Sequence, residues 1–267
     1  MATGSVAGVT NPPAPGSLTG KRALITGSSR GIGADTARLI AAAGADVVVN
    51  YRDERKARRA DQLVADIEAA GGTALAIRAD LTDEAAVAAL FREIQERWGG
   101  LDVLVLNASG GMESGMAEDY ALRLNRDAQV RAVELARPLL GRGSRIVFVT
   151  SHQAHFIATT PTMPEYEPVA RSKRAGEDAL RALIPELEEA GIELVVVSGD
   201  MIEGTITAKL LERANPGAIS ARREAAGRLY TVEEFAVEVA AAAVEPVPAS
   251  HTRFVGDTSD FAPVPGE

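Results

Sequence analysis

From Lys21 to Phe254, short apolar runs alternate with longer stretches in which apolar side chains recur every three or four residues. The runs Ala23–Thr26, Asp46–Asn50, Ala74–Arg78, Val103–Leu106, Arg145–Thr150, Leu194–Ser198 and Arg253–Val255 are rich in Val, Ile, Leu and Ala, as strands covered on both faces are. Helical periodicity predicts helices over Ile32–Ala43, Arg55–Ala70, Glu84–Trp98, Ala117–Leu140, Val169–Ala190 and Val232–Ala243. Gly44, Gly71, Gly99 and Gly191 stand just beyond four of them, where a left-handed residue commonly stops a helix. Strand–helix alternation of this kind predicts an α/β protein: one doubly wound parallel sheet of seven strands, with helices on both faces and right-handed crossovers. A single domain is expected over residues 20–260, after a flexible tail at 1–19 and before a short tail at 261–267. Residues 201–231 break the rhythm with a polar, Gly-containing insertion after a strand. Ligands of open α/β sheets bind beyond the carboxyl ends of the strands, so this insertion is expected to be a substrate lid, with a plain surface excursion as the alternative.

The strongest local signal is Thr26-Gly27-Ser28-Ser29-Arg30-Gly31-Ile32-Gly33, which follows the first strand and opens the first helix. Glycines let backbone turn tightly and approach a pyrophosphate, while a helix start offers unsatisfied N–H groups to phosphate. The strand–turn–helix context makes this a dinucleotide-binding (Rossmann) pattern, with a ligand-free tight turn as the alternative. A carboxylate at the tip of the second strand would bind a ribose 2′-hydroxyl; a 2′-phosphate needs cations there. The sequence has Asn50-Tyr51-Arg52 at that tip and Arg30 in the glycine loop, which favours NADPH over NADH. Solvated surface charge is the plainer reading of the two arginines.

Composition narrows the chemistry. With no cysteine, disulfides, iron–sulfur clusters and thiol catalysis are out of reach, and with only His152, His155 and His251 no metal site is expected. A net charge of −9 argues against general binding to nucleic acid or an anionic membrane. No apolar run approaches a membrane span, and Met1–Ser17 lacks the features of a signal peptide, so cytoplasmic residence is the expectation.

The glycine pattern, together with Asp80, Asn107-Ala108, Asn125, Ser151 and Lys173, resembles the short-chain dehydrogenase/reductase family over about Lys21 to Asp257. The resemblance implies an NADPH-dependent oxidoreductase, commonly a homotetramer or homodimer, acting on a small-molecule substrate that is free or delivered on acyl-carrier protein or coenzyme A. It implies that Asp80 caps the adenine amino group and that Asn107 lies along the cofactor. It also places Gly27, Ser29, Gly31, Ile32, Gly33, Leu81, Ala108, Ser109, Gly199, Ile202 and Thr205 beside the cofactor. Asn125 would hold an active-site water, Ser151 would bind the substrate carbonyl, and Lys173 would grip the nicotinamide ribose. Asp80 can also be read as a helix-capping acid, and Asn125 as an exposed polar residue.

One departure is informative. The family's Tyr four residues before the Lys is replaced by Val169, which cannot transfer a proton. Tyr166 stands seven before Lys173, about two helical turns away and so on the same face, with Pro168 suited to the first helical turn. Tyr, six residues, then Lys resembles the spacing of enoyl-[acyl-carrier-protein] reductases, most closely their type III members. Reduction puts negative charge on a substrate oxygen, either the enolate of a thioester or the alkoxide of a ketone. A phenol can stabilise or protonate that oxygen, and a neighbouring ammonium is expected to lower the phenol's pKa. The resemblance therefore places enoyl-thioester reduction first and keto reduction second; a catalytically impaired NADP-binding regulatory protein is the non-enzyme alternative. His152, His155 and Glu165 are expected in the loop before Tyr166, and Met112, Met116 and Met163 are candidates to line an apolar pocket or simply to pack.

Overall fold

The structure, a computed structural model, describes residues 10–113 and 115–261. In chain order the elements are β1 (Arg22–Ile25), α1 (Gly31–Ala42), β2 (Asp46–Tyr51), a 3₁₀ turn (Glu54–Lys56), α2 (Ala57–Ala69), β3 (Thr73–Arg78), α3 (Glu84–Trp98) and β4 (Leu101–Leu106). There follow α4 (Tyr120–Leu122), a π-helical turn (Arg123–Asp127), α5 (Ala128–Ala136), β5 (Leu140–Ser151), α6 (His152–His155), α7 (Glu167–Arg181), α8 (Ile184–Glu189) and β6 (Glu193–Gly199). The chain ends with β7 (Ile202–Glu203), α9 (Ile206–Ala214), α10 (Ala218–Ala226), β8 (Tyr230–Thr231), α11 (Val232–Ala241) and β9 (Thr252–Val255).

Seven parallel strands form one sheet in the order β3-β2-β1-β4-β5-β6-β9. The fold is therefore the doubly wound α/β sheet that the alternation predicts. Successive strand residues face opposite layers. Ala23, Ile25, Val47, Val49, Val103, Val105, Val147, Val195 and Val197 pack with α1, α2 and α11. Leu24, Val48, Leu104, Leu106, Ile146, Phe148 and Val196 pack with α3, α5 and the end of α7. The chain runs outward from β1 to β3, then returns to place β4 on the other side of β1. That reversal opens a crevice between the loops after β1 and β4.

Several boundaries differ from expectation. The helix expected over Ala117–Leu140 begins at Tyr120, ends at Ala136 and contains the π-helical turn around Asn125. The helix expected over Val169–Ala190 begins at Glu167 and breaks after Arg181, resuming at Ile184 with Pro185 in its first turn. The proposed tail at 1–19 is too long. Residues 1–9 lie outside the described residues, but Leu18 is buried in the core, its N–H donates to Ala43 O, and Thr10 accepts from Arg253. The expected C-terminal tail, 261–267, also lies outside the described residues except for Phe261, whose ring stacks on Phe156. Residues 201–231, the expected lid, hold α9, α10 and a two-stranded parallel ladder, β7–β8. Among the described residues no helix is long and apolar enough to cross a membrane, and no group of His, Asp and Glu is arranged to hold a metal ion.

Candidate active site

A crevice of about 630 Å³ runs across the carboxyl ends of β1, β2, β4, β5 and β6. Its floor is the glycine turn. Gly27 has φ +63°, and a Cβ there would stand 3.0 Å from Ala108 Cα. A Cβ on Gly33 would stand 2.6 Å from Asn107 Nδ2. Gly31 has φ +58° and faces open space, so backbone conformation rather than crowding requires glycine there. The first turn of α1 has no acidic residue and no side-chain cap, which leaves its N–H groups for a ligand. The fit is that of a dinucleotide: an approachable backbone, free donors and a crevice long enough to reach from β2 to β6.

All the residues expected beside the cofactor line this crevice, but Asn50, Asn107, Asp80, Arg52 and Thr205 also use their side chains on the protein itself. Asn50, expected as a cofactor contact, is buried. Its Oδ1 accepts from Gly27 N at 3.1 Å, and its Nδ2 donates to Ala79 O at 3.2 Å. Asn107, expected along the cofactor, donates from Nδ2 to Thr26 O at 2.9 Å. Both amides brace the glycine turn. Asp80 Oδ1 accepts from Thr82 N and Oγ1 in a local turn, and the helix-capping reading of Asp80 does not hold, because Asp83 caps α3 with its carboxylate on Ala85 N and Ala86 N.

Beyond the tip of β2 four cations converge on one end of the crevice: Arg30, Arg52, Lys56 and Arg59. Partial burial and their mutual repulsion hold Arg30 and Lys56 below their ordinary pKa values. Asp53 is near but already accepts from Arg52 and Arg55. Lys56 and Arg59 were not singled out from sequence. The signal available was the density of basic residues just after the second strand, Arg52, Lys56 and Arg59. Tyr120 was also missed; its hydroxyl accepts from Arg52 Nη1 at 2.9 Å.

At the other end stand Ser151, Tyr166 and Lys173. Ser151 ends β5 and caps α6, its Oγ accepting from Ala154 N at 3.3 Å. Tyr166 is the N-cap residue of α7, with Pro168 in the first turn. Its hydroxyl lies 3.2 Å from Ser151 Oγ, and either oxygen can donate. The expected lowering of the Tyr166 pKa by Lys173 does not occur. Burial pushes the phenol up, and only the Ser151 hydroxyl counters it. Lys173 lies on α7 at 9% exposure, and burial lowers its ammonium to about 8, opposed by the carboxylate of Glu177. Tyr166 thus remains a neutral donor rather than an activated phenolate.

Asn125 sits behind the crevice rather than in it. Its Nδ2 donates to Gly110 O at 2.8 Å and Ser172 Oγ at 2.9 Å, and its Oδ1 accepts from Gly110 N at 3.3 Å. The Asn125 side chain thus clamps the loop after β4 to α7. The carbonyl freed in the π-helical turn meets Gly176, where a Cβ would stand 2.0 Å from Asn125 O.

Val169 points into a tight place: a Cβ on Gly111 would lie 3.1 Å from its Cγ2. Around Tyr166 and Val169 gather Met112, Met163, Met201, Ile157 and Leu211, an apolar wall, whereas Met116 is exposed. His152 and His155 are not loop residues exposed to substrate. Both are fully buried in α6 among Phe156, Phe254 and Phe261. Burial takes His152 down to about 3, so its ring is neutral; Nδ1 pairs with Ser198 Oγ at 2.9 Å. Glu165 accepts from Asn215 of the 201–231 segment at 3.0 Å.

A parallel sheet with this strand order, a glycine turn at the reversal and a hydroxyl pair across the crevice define a dinucleotide-dependent oxidoreductase architecture. The profile of the short chain dehydrogenase family matches residues 21–215, and the chain belongs to that family. A short-chain dehydrogenase/reductase of Pestalotiopsis microspora is 31% identical over 226 residues, covering 82% of this chain and 80% of that protein. The 1-cyclohexenylcarbonyl-CoA reductase of Streptomyces collinus is 33% identical over 186 residues, covering 67% of this chain and 64% of that protein. A short chain dehydrogenase of Burkholderia cenocepacia, solved in complex with NADP, superposes with a TM-score of 0.74 at 31% identity, over 89% of this chain and 96% of that one. The angucycline C-6 ketoreductase LanV, with bound NADP, gives 0.72 at 28% identity, over 92% and 96%.

Proposed function

We propose that this protein is an NADPH-dependent reductase that holds the oxygen of a carbonyl substrate between Ser151 and Tyr166, with a ketone as the substrate class the pair suits best. The 3.2 Å approach of the two hydroxyls carries this reading. The four cations beyond β2 support NADPH over NADH, since a phosphate there relieves their mutual repulsion. When bound, the nicotinamide supplies hydride; the chain's own residues manage the oxygen. Negative charge developing there strengthens both hydrogen bonds, more so in a crevice that excludes water. Tyr166, kept protonated by burial, gives its proton to the oxygen. Ser151, fixed by Ala154 N–H, orients the carbonyl. The Lys173 ammonium offers donors to a ribose diol and positive charge to the same crevice. The apolar wall of Met112, Met163, Met201 and Leu211 suits a hydrophobic substrate body.

Enoyl-thioester reduction is the second reading. The six-residue gap between Tyr166 and Lys173 favours it, as does the likeness to a 1-cyclohexenylcarbonyl-CoA reductase. There the oxygen needs stabilising as an enolate, and one donor can serve. The test follows NADPH absorbance with ketones, an acetoacetyl thioester and a crotonyl thioester, using wild type, Ser151→Ala and Tyr166→Phe. Ketone turnover that falls about 100-fold or more in both variants supports the first reading. Turnover of the crotonyl thioester alone, insensitive to Ser151→Ala, overturns it in favour of the second. Tight NADPH binding with no turnover of any substrate favours a regulatory role.

A further inference from the structure

Behind Lys173 lies a buried charge network that the proposed reaction does not use directly. Glu177 is one turn further along α7 and wholly buried. Its Oε1 accepts from His155 Nδ1 at 2.8 Å and from Arg181 Nε at 2.9 Å. Its Oε2 is buried and has no hydrogen-bond partner among the described residues. A carboxylate is costly to hold in such a place unless charge compensates it, and removing one member of a buried pair strands the other. Lys173 shares this interior. Its side chain is nearly buried on the same helix face, and among the described residues the carboxylate of Glu177, four residues on, is the charge that opposes the effect of burial on it. Tyr166 and Ser151, the polar groups on the crevice side, are both neutral hydroxyls. Facing Glu177 from α6 is His155, and from its own helix Arg174 and Arg181; Arg181 is tied in turn to Ser250 O and Thr252 Oγ1 at the β9 edge.

We infer that Glu177 is a positioning residue for the reaction: anchored by His155 and Arg181, it keeps Lys173 charged and aimed into the crevice from behind. The inference rests on the reductase reading, because it is the ribose diol and the reacting oxygen that need a charged Lys173. Three features assign this role rather than plain packing. The carboxylate takes up the space of a core residue without being apolar. It sits at i+4 from the lysine, where side chains of one helix meet. One of its two donors, His155, comes from α6, the helix that Ser151 caps, so that short element helps to fix both the hydroxyl pair and the support of the ammonium.

The experiment compares wild type, Glu177→Gln, Glu177→Asp and His155→Gln for folding by thermal melting, NADPH affinity by fluorescence titration, and the pH dependence of both affinity and turnover. Removing the carboxylate charge is expected to move the basic limb of the affinity profile down by about one pH unit, a roughly fivefold loss at the pH where wild type is half-deprotonated. Glu177→Asp should recover part of this shift, and His155→Gln should move the limb the same way by less. A folded Glu177→Gln protein with the wild-type limb overturns the inference. If Glu177→Gln does not fold, His155→Gln decides: an unmoved limb overturns it, and a lowered one supports it. A wild type that binds no NADPH defeats the reductase reading instead, and is recognised before any variant is made.

Discussion

Tyr120 Oη accepts a hydrogen bond from Arg52 Nη1 at 2.9 Å, joining the start of the π-turned helix to the tip of β2. Tyr120 is buried while Arg52 is partly exposed, so the phenol, together with Asp53 on Arg52 Nε, fixes the guanidinium over the crevice. A pre-set donor fork binds phosphate at lower entropic cost. Tyr120→Phe is therefore expected to raise the KM for NADPH about fivefold, the equivalent of roughly 1 kcal/mol, and to leave NADH use nearly unchanged. Steady-state kinetics with both cofactors checks it; an equal effect on the two would remove Tyr120 from cofactor choice.

Arg59 and Lys56 make a companion case. Replacing both with Gln should bring the NADPH and NADH preferences together, and raise the ionic-strength sensitivity of neither. A preserved NADPH preference in that double variant would place the deciding cations elsewhere.

Lys173 is kept at a cost to stability. Its folded pKa, about 8, lies below the ordinary 10.5, so between those values the unfolded chain binds the extra proton and stability rises with pH. Below pH 8 the full penalty, roughly 3 kcal/mol, is present. Lys173→Met should thus melt higher than wild type at pH 6.5, and the gap should narrow towards pH 10. The same variant should lose NADPH binding. Thermal melts across pH check the first statement and titration the second; a variant less stable than wild type at pH 6.5 contradicts the argument.

Restoring the family's usual tyrosine should not help. Val169 is buried, and its Cγ2 already lies 3.1 Å from where a Cβ on Gly111 would stand, so a phenol ring there would crowd the loop after β4. Val169→Tyr, alone or with Tyr166→Phe, is expected to destabilise by about 1–3 kcal/mol and to recover no activity. Turnover in the double variant above that of Tyr166→Phe alone would show that the site accepts a donor in either place.

The alternation of strands and helices, the glycine turn and the Ser151–Tyr166–Lys173 grouping were legible because each depends on local pattern: apolar runs covered on both faces, a turn that requires glycine, and helical spacing from a lysine. What escaped depends on where a side chain spends its hydrogen bonds. Asn50, Asn107 and Asn125 occupy the expected positions, yet their amides are committed to neighbouring backbone. Sequence gives residue type but not the partner that uses up a donor. The histidines misled for a related reason. His152 and His155 follow a strand in a polar-looking stretch, but the aromatic rings that bury them come from the distant Phe254 and Phe261. Likewise the lowering of the Tyr166 pKa was inferred from the presence of Lys173, whereas burial decides its direction.

Arg222 on α10 forks onto Asp200 at the end of β6, at 2.9 Å for each of two N–O pairs, and also reaches Asp257 and Asp260. This ties the segment over the crevice to both the sheet and the last described residues. Arg222→Gln should leave Asp200 buried without its cation, and should make residues 201–231 the first site of limited proteolysis. Cleavage rates unchanged from wild type would show that the segment is held by its packing alone.

Because Tyr166 is mounted on the residue ahead of α7 and not within it, the acid and the ammonium belong to separately adjustable parts. The length and composition of the stretch from Phe156 to Glu165 can vary the reach of the phenol while the lysine stays in place on its helix. A change of substrate shape can then be met by editing that stretch alone, with the dinucleotide cradle untouched.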